Sequence, residues 1–374
     1  MDEELTLYKR YSKALLAILG VILAIGAIMV YSSSYIYAKE IYGSSSFLFN
    51  KQLLFISLGI LTILITSKTK KTFWLNYCEY INWFLIFLLI LTLVPGISYS
   101  IKGASRWLKL GSLRIQPGEY LKISVMLCTY KLISKNTFEF QKVWKSLLGI
   151  LLPLFILLLQ PDFGTFFICS FTISITLFIS NFDRKMFYSI FSVGLISSII
   201  ILLSAPYRVK RLLTFLDPWK NPKSSGFQII QSFLAFANGS FFGQGLGNSN
   251  EKLFYLPEAH NDFIFSVIGE ELGFLGVLFV ILMFVALIYV AVKIIFLQKQ
   301  ETTLVISSSL IFLLGFQTFF NMGVVLGLLP TKGLNLPFIS YGGSSLISSC
   351  WIIGLFICFT KFSHFDKSFT QDNI

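Results

Sequence analysis

Apolar residues in this chain come in long runs rather than in the spaced stripes of a water-soluble helix bundle. The runs lie near 14–34, 53–67, 80–97, 117–133, 146–160, 163–181, 187–204, 263–292, 303–327 and 344–361. Each reaches or approaches the roughly 20 residues that a membrane helix needs, with tilt absorbing the difference. The pattern therefore predicts ten membrane helices. Between the fifth and sixth stands only Gln160-Pro161-Asp162-Phe163-Gly164. A polar break this tight reads as a turn dipping into the membrane face, not as a loop in water. Two stretches, 98–122 and 205–262, are too polar to cross. The second contains Phe227-Gln228-Ile229-Ile230-Gln231-Ser232 and then glycines 243, 245 and 247. That order predicts a short amphipathic helix followed by a Gly-rich turn, and its aromatic content argues against disorder.

Composition closes off the alternatives. Of 374 residues, 55% are apolar, 17% aromatic and 13% charged, whereas a soluble domain carries about a quarter charged residues. A soluble enzyme, a disordered chain and a disulfide scaffold are excluded, leaving an all-α polytopic membrane protein. Cys78, Cys128, Cys169, Cys350 and Cys358 are scattered through apolar stretches without metal-ligand spacing and read as small apolar residues in packed helices. The first run is long enough to span and lacks a small-residue cleavage site, so no cleavable leader is expected.

An even number of spans puts both termini on one side. Sixteen of the 30 Lys and Arg residues fall on that side, from Lys9, Arg10 and Lys13 to Lys361 and Lys367, which predicts cytoplasmic termini. Most other basic residues lie in the two long outer segments, as Lys102, Arg106, Lys109, Arg114 and Lys122, and as Arg208, Lys210, Arg211, Lys220, Lys223 and Lys252. They read either as basic loops on acidic headgroups or as a cationic basin for a phosphate or diphosphate ligand.

The second segment delivers Leu256-Pro257-Glu258-Ala259-His260-Asn261-Asp262 into the eighth span. Asn261 or Asp262 could cap that helix. Asp262 could equally take a proton from a hydroxyl nucleophile, with His260 two residues before it. Glu270 and Glu271 lie deeper in the same span, as structural pairs or as pathway groups. Asp162 reads as a turn residue, and His364 as a solvated one. Pro330-Thr331-Lys332-Gly333 and Ile339-Ser340-Tyr341-Gly342-Gly343 precede the last span and add the cation Lys332. No Gly-x-Ser-x-Gly, His-Glu-x-x-His or Cys-x-x-Cys occurs, so hydrolase and zinc readings have no support, and the glycines at 243–247 lack the context of a nucleotide loop.

These stretches together resemble the SEDS family of bacterial cell-wall polymerases (FtsW, RodA and the sporulation homologue). The resemblance is carried by Gly103-Ala104-Ser105-Arg106-Trp107 through Gln116-Pro117-Gly118-Glu119, by Gln160 to Gly164, and by Ser225-Gly226-Phe227 through Ser232. It continues with Gly245-Leu246-Gly247-Asn248-Ser249 running to Asp262-Phe263-Ile264-Phe265, and with Asn321-Met322-Gly323 through Ser345. Lys252 to His260 and Leu329 to Leu334 look like the division-type versions. Gly118 stands where Ser or Ala is usual, and Asn261 where Thr is usual.

The resemblance implies one domain over 1–374 with ten transmembrane helices and a large extracytoplasmic loop between helices 7 and 8. The outer loops 98–117 and 205–262 would carry the site. It implies a peptidoglycan glycosyltransferase of the bacterial cytoplasmic membrane that polymerises lipid II, with undecaprenyl diphosphate leaving. By the same resemblance Asp262 is the catalytic residue, and Arg106, Arg114, Lys332, Glu119, His260 and Gln231 bind substrate. The expected partners are a class B penicillin-binding protein, other division proteins and the membrane, with no nucleic acid. A divalent metal, Mg or Mn, is the cofactor the resemblance allows, although the sequence offers no ligand set for it. The competing readings are a lipid II flippase using Glu270 and Glu271, a RodA-type elongation polymerase, and a non-catalytic scaffold. A lipid tail would require an apolar groove between helices, open to the bilayer.

Overall fold

The structure, a computed structural model, describes residues 2–101, 104–111, 113–134, 140–203, 206–222, 226–249, 259–331 and 333–361. Helices dominate: α1 (Asp2–Tyr42), α2 (Phe47–Lys68), α3 (Lys71–Leu91), α4 (Pro117–Ser134), α5 (Phe140–Leu159), α6 (Phe163–Ile179) and α7 (Arg184–Leu203). After them come α8 (Pro206–Leu216), α9 (Phe227–Gly239), α10 (Ile264–Phe296), α11 (Glu301–Val325) and α12 (Gly343–Thr360). Among the described residues α1, α2, α3, α10, α11 and α12 are long and apolar enough to cross a membrane, and α5 and α6 contain shorter apolar stretches.

The all-α expectation needs one correction. Three antiparallel strands, β1 (Ser98–Ile101), β2 (Ala104–Leu110) and β3 (Leu113–Ile115), form a small sheet between α3 and α4. The predicted third span at 80–97 is displaced for a related reason. The helix begins at Lys71 rather than near residue 80, and its Lys71 and Glu79 find partners in adjacent helices. Lys71 donates to Thr303 Oγ1 at 3.4 Å, and Glu79 meets Lys131 at 3.7 Å and Ser146 at 3.1 Å. Pairing makes ionisable groups tolerable at that depth. The helix then ends early, since Pro95-Gly96 turns the chain into the sheet with Gly96 at φ 92°.

α4 is the axis of the fold. Every residue from Pro117 to Tyr130 except Tyr120 is buried, as expected of a helix packed on all sides. Its Glu119 and Lys122 form an internal pair at 2.6 Å, and Ser348 of α12 donates to the same Glu119 oxygen at 3.3 Å. α2 and α12 close tightly through small residues. A Cβ on Gly59 would lie 2.7 Å from Cys350 Sγ, and one on Gly354 would run into Thr66. All five cysteines are buried.

Two breaks in the helices shape one end of the molecule. At the first, the buried Gln160 amide donates to Leu89 O at 2.9 Å and Thr92 Oγ1 at 2.5 Å. Asp162 caps α6 by accepting from Thr165 N at 3.3 Å and Thr165 Oγ1 at 2.8 Å. The polar break between the fifth and sixth runs is thus satisfied internally, as a lipid environment demands. At the second, α10 is interrupted at Gly273, whose φ 68° and ψ −166° suit glycine. Asp262 and Ile288, 26 positions apart along this segment, meet Asn321 and Gly315, only six apart on α11. A straight antiparallel helix could not make both contacts. The stretch Ile264–Leu272 therefore turns away from the axis of the remainder, and carries Asp262 over the ends of the neighbouring helices.

The freed carbonyls at this break pair with the Gly-rich turn that follows α9. Gln244 N donates to Glu270 O at 2.9 Å and Gly245 N to Glu271 O at 3.0 Å, while Phe274 N and Leu275 N donate back to Ser240 O at 3.0 Å and Phe241 O at 3.3 Å. A Cβ on Gly243 would strike Glu271 O. The expected helix and Gly-rich turn are both present, whereas α8 was not foreseen.

Candidate functional site

Asp262 immediately precedes α10, whose N-cap is Phe263 with no side-chain cap bond. The capping expectation for Asn261 or Asp262 is thus not what places them. Their backbone is held from two other elements. Asn321 Nδ2 of α11 donates to Asp262 O at 2.9 Å and to Leu334 O at 2.5 Å. Ser340 Oγ donates to Asn261 O at 2.7 Å, and Tyr341 N to His260 O at 2.9 Å. Asp262 is half-buried, its carboxylate so close to Gly333 that a Cβ there would lie 3.1 Å from Oδ2. Leu334 in turn reaches the start of α6, 3.4 Å from where a Cβ on Gly164 would stand. Asp162 and Asp262 thus flank one short stretch of chain.

The sheet sits over this arrangement and is fixed on two sides. Arg106 of β2 donates through Nη2 to Pro161 O at 2.6 Å, and its Nη1 lies 3.6 Å from Asp162 Oδ1. Gln116 N, at the foot of β3, donates to Ser344 Oγ at 3.0 Å. Arg106 keeps 27% of its side-chain surface exposed, while Asp162 keeps 5%. The guanidinium therefore compensates a buried carboxylate, while part of the Arg106 side chain stays exposed. Thr165, bound to Asp162, also explains the glycine at 118, where a Cβ would be 3.1 Å from Thr165 Cγ2.

Arg114 of β3 is exposed and acts electrostatically on Tyr341. Burial pushes the Tyr341 phenol up to about 12, with the Arg114 charge opposing. His260 lies between two rings, 5.1 Å from Tyr37 and 5.9 Å from Tyr341 between centroids. Arg106, Arg114, His260 and Asp262 thus reach one end of the molecule from β2, β3 and the approach to α10.

The other residues singled out in the sequence are placed differently. Glu119 is 9% exposed and bonded to Lys122 and Ser348 beneath this end. Gln231 lies on α9 beside Ser232, which donates to Val325 O at 2.7 Å. Glu270 and Glu271 are buried at the helix break, where they accept from the hydroxyls of Ser249 and Ser32. Lys332, Glu258, Lys252 and His364 lie outside the described residues. Sequence reasoning missed Asn321 and Tyr341 as the clamps on the Asp262 turn. A polar Asn within an apolar run, at the head of one of the matched stretches, was the available signal for the first.

Comparison with known proteins agrees with this architecture. Residues 12–364 match the family model of FtsW, RodA and SpoVE, described as cell cycle protein. The probable peptidoglycan glycosyltransferase FtsW of Saccharophagus degradans is 36% identical over 356 residues, covering 93% of this chain and 92% of the relative. Stage V sporulation protein E of Bacillus subtilis is 35% identical over 348 residues, covering 92% and 95%. The corresponding FtsW of Buchnera aphidicola is 39% identical over 344 residues, covering 90% and 86%. A chain from a solved peptidoglycan synthase complex that coordinates polymerization and crosslinking aligns with TM-score 0.72 at 27% identity, over 93% of this chain and 96% of that one. The rod shape determining protein RodA of Thermus thermophilus shares the fold, with TM-score 0.66 at 24% identity over 93% and 95%. This multi-pass membrane chain belongs to the FtsW, RodA and SpoVE family, on its FtsW-like side.

Proposed function

We propose that this protein is a peptidoglycan glycosyltransferase that polymerises lipid II at the outer face of the bacterial cytoplasmic membrane during cell division. In this reading α1 to α7 and α10 to α12 are the ten spans, both termini are cytoplasmic, and the sheet and the 205–262 segment lie outside. The single observation that carries the reading is the Asp262 carboxylate, half-buried against Gly333 and clamped through its backbone by Asn321, at the end of the molecule that the sheet's arginines occupy.

Polymerisation joins the 4-hydroxyl of an acceptor sugar to the anomeric carbon of a donor. A hydroxyl is a poor nucleophile at neutral pH, and a carboxylate within about 3 Å lowers the barrier by accepting its proton as the new C–O bond forms. Asp262 takes that role. The bond from the anomeric carbon to the diphosphate oxygen breaks, and its electron pair leaves with undecaprenyl diphosphate. Fixed cations stabilise the charge gathering there. Arg114 is exposed for that contact, Arg106 supplies a second charge from the same sheet, and Lys332, the residue before Gly333 in the chain, is the third cation of this reading. One displacement without a covalent intermediate inverts the donor's anomeric configuration. Among the described residues no three His, Cys, Asp or Glu side chains gather closely enough to hold a metal ion, and none of these steps is routed through one.

A class B penicillin-binding protein is the partner that cross-links the product. The test is reconstitution of the full chain with its cognate transpeptidase in vesicles containing lipid II. Glycan polymer is expected; labelled lipid II crossing the bilayer without polymer would replace this reading with transport.

A further inference from the structure

Phe241 and Phe242, at the turn after α9, are 54% and 79% exposed, and Leu246 is 57% exposed. From Gly239 to Ser249 this turn carries no charged residue, although the outer segments around it are rich in Lys and Arg. Exposed apolar groups gathered at one tip mark an interaction surface.

Two helices give the height of that tip relative to the bilayer. The tip is paired to α10 at Gly273, and from Gly273 to Lys293 are 20 residues, about 30 Å of helix and the thickness of the hydrocarbon core. Ser32, bonded to Glu271 beside the break, stands 19 residues from Lys13 on α1. Both distances run from a basic residue to the break at Gly273, and both match one hydrocarbon thickness. The tip also continues a lipid-facing stripe, because the Phe241 ring lies 5.5 Å from that of Phe274, and Phe274, Leu275, Leu278 and Phe279 are all exposed on α10.

We propose that Phe241, Phe242 and Leu246 are seated among the lipid chains just beneath the headgroups of the leaflet on the Asp262 side. The turn is a lipid-binding wedge. Through its backbone pairing to the break at Gly273, it sets the height at which Ile264–Leu272 carries Asp262 along the membrane surface. Its occupant is lipid, and this assignment does not depend on the reaction catalysed.

The five native cysteines are buried, so the full-length Phe242→Cys chain can be labelled at one position with an environment-sensitive nitrobenzoxadiazole dye. In phosphatidylcholine–phosphatidylglycerol vesicles, the dye should lose emission to a lipid nitroxide near the ester carbonyl, lose less to one near the chain end, and be unaffected by iodide. Leu246→Cys should give the same pattern, so a folding defect in one variant does not decide the matter. Lys220→Cys, on a side chain 76% exposed, should instead be quenched by iodide. Quenching of both tip labels by iodide, by neither agent, or most strongly by the deep nitroxide overturns the assignment.

Discussion

Gly333 is packed so closely on Asp262 that a single methyl group at residue 333 would stand 3.1 Å from the carboxylate oxygen Oδ2. Adding that methyl must move one of the two. The Gly333 position is itself exposed, so Gly333→Ala should leave the fold intact and reorient the carboxylate. The contact requires a shift of only a few tenths of an ångström, so turnover should fall by roughly severalfold rather than vanish. Steady-state kinetics should show the loss in kcat with KM little changed, and thermal unfolding should match the parent.

Arg106 holds the sheet to the α5–α6 break by its bond to Pro161 O and its pairing with Asp162. Removing a charged hydrogen-bond partner of this kind costs about 1.5–3 kcal/mol. Arg106→Ala should both lower the unfolding temperature and weaken use of the lipid-linked donor. Arg106→Lys should recover part of each, because Lys restores the charge without the two-pronged geometry. Calorimetry beside donor titration separates the two effects.

Gly273 is the one glycine inside α10 with a left-handed backbone, and Phe241 O would lie 2.6 Å from its Cβ. The backbone conformation alone costs an L-residue about 1–3 kcal/mol, and displacement of the paired turn adds to it. Gly273→Ala should therefore unfold at clearly lower temperature. Gly194→Ala on α7, where a Cβ meets nothing within 4 Å, should match or exceed the parent.

Tyr341 touches His260 and lies near Arg114, which makes it a further candidate proton carrier at this end. With its phenol pushed up to about 12, it stays protonated across the physiological range and cannot act as the base there. Tyr341→Phe should leave the pH dependence of kcat unchanged in shape up to about pH 9, well below that value. A displaced alkaline limb would give the phenol a role in proton transfer.

Much of this was legible in the chain itself. The apolar runs locate most helices because hydrocarbon thickness dictates their length, and Asp162, Asp262 and Arg106 stand out because charge is scarce there. The start of α3 was obscured, since Lys71 and Glu79 look unsuited to a membrane helix until Thr303, Lys131 and Ser146 are brought beside them. The bend at Gly273 was equally hidden. Its cause is backbone pairing with a turn thirty residues earlier, and Gly-Phe-Leu-Gly within an apolar run carries no sign of that pairing. Asn321 as the clamp on Asp262 depends on the return of Leu334, Ser340 and Tyr341 to the same turn, a relation that periodicity does not encode.

The central claim is that the Asp262 carboxylate accepts the acceptor hydroxyl's proton. The most direct measurement is glycan formation from lipid II by purified Asp262→Asn, which keeps the shape and removes the basic oxygen, with insertion and unfolding temperature checked against the parent. Loss of a positioned base costs about a hundredfold to ten-thousandfold in rate, so polymer should vanish while the protein remains folded and membrane-inserted. Polymer formation at the parental rate would contradict the account.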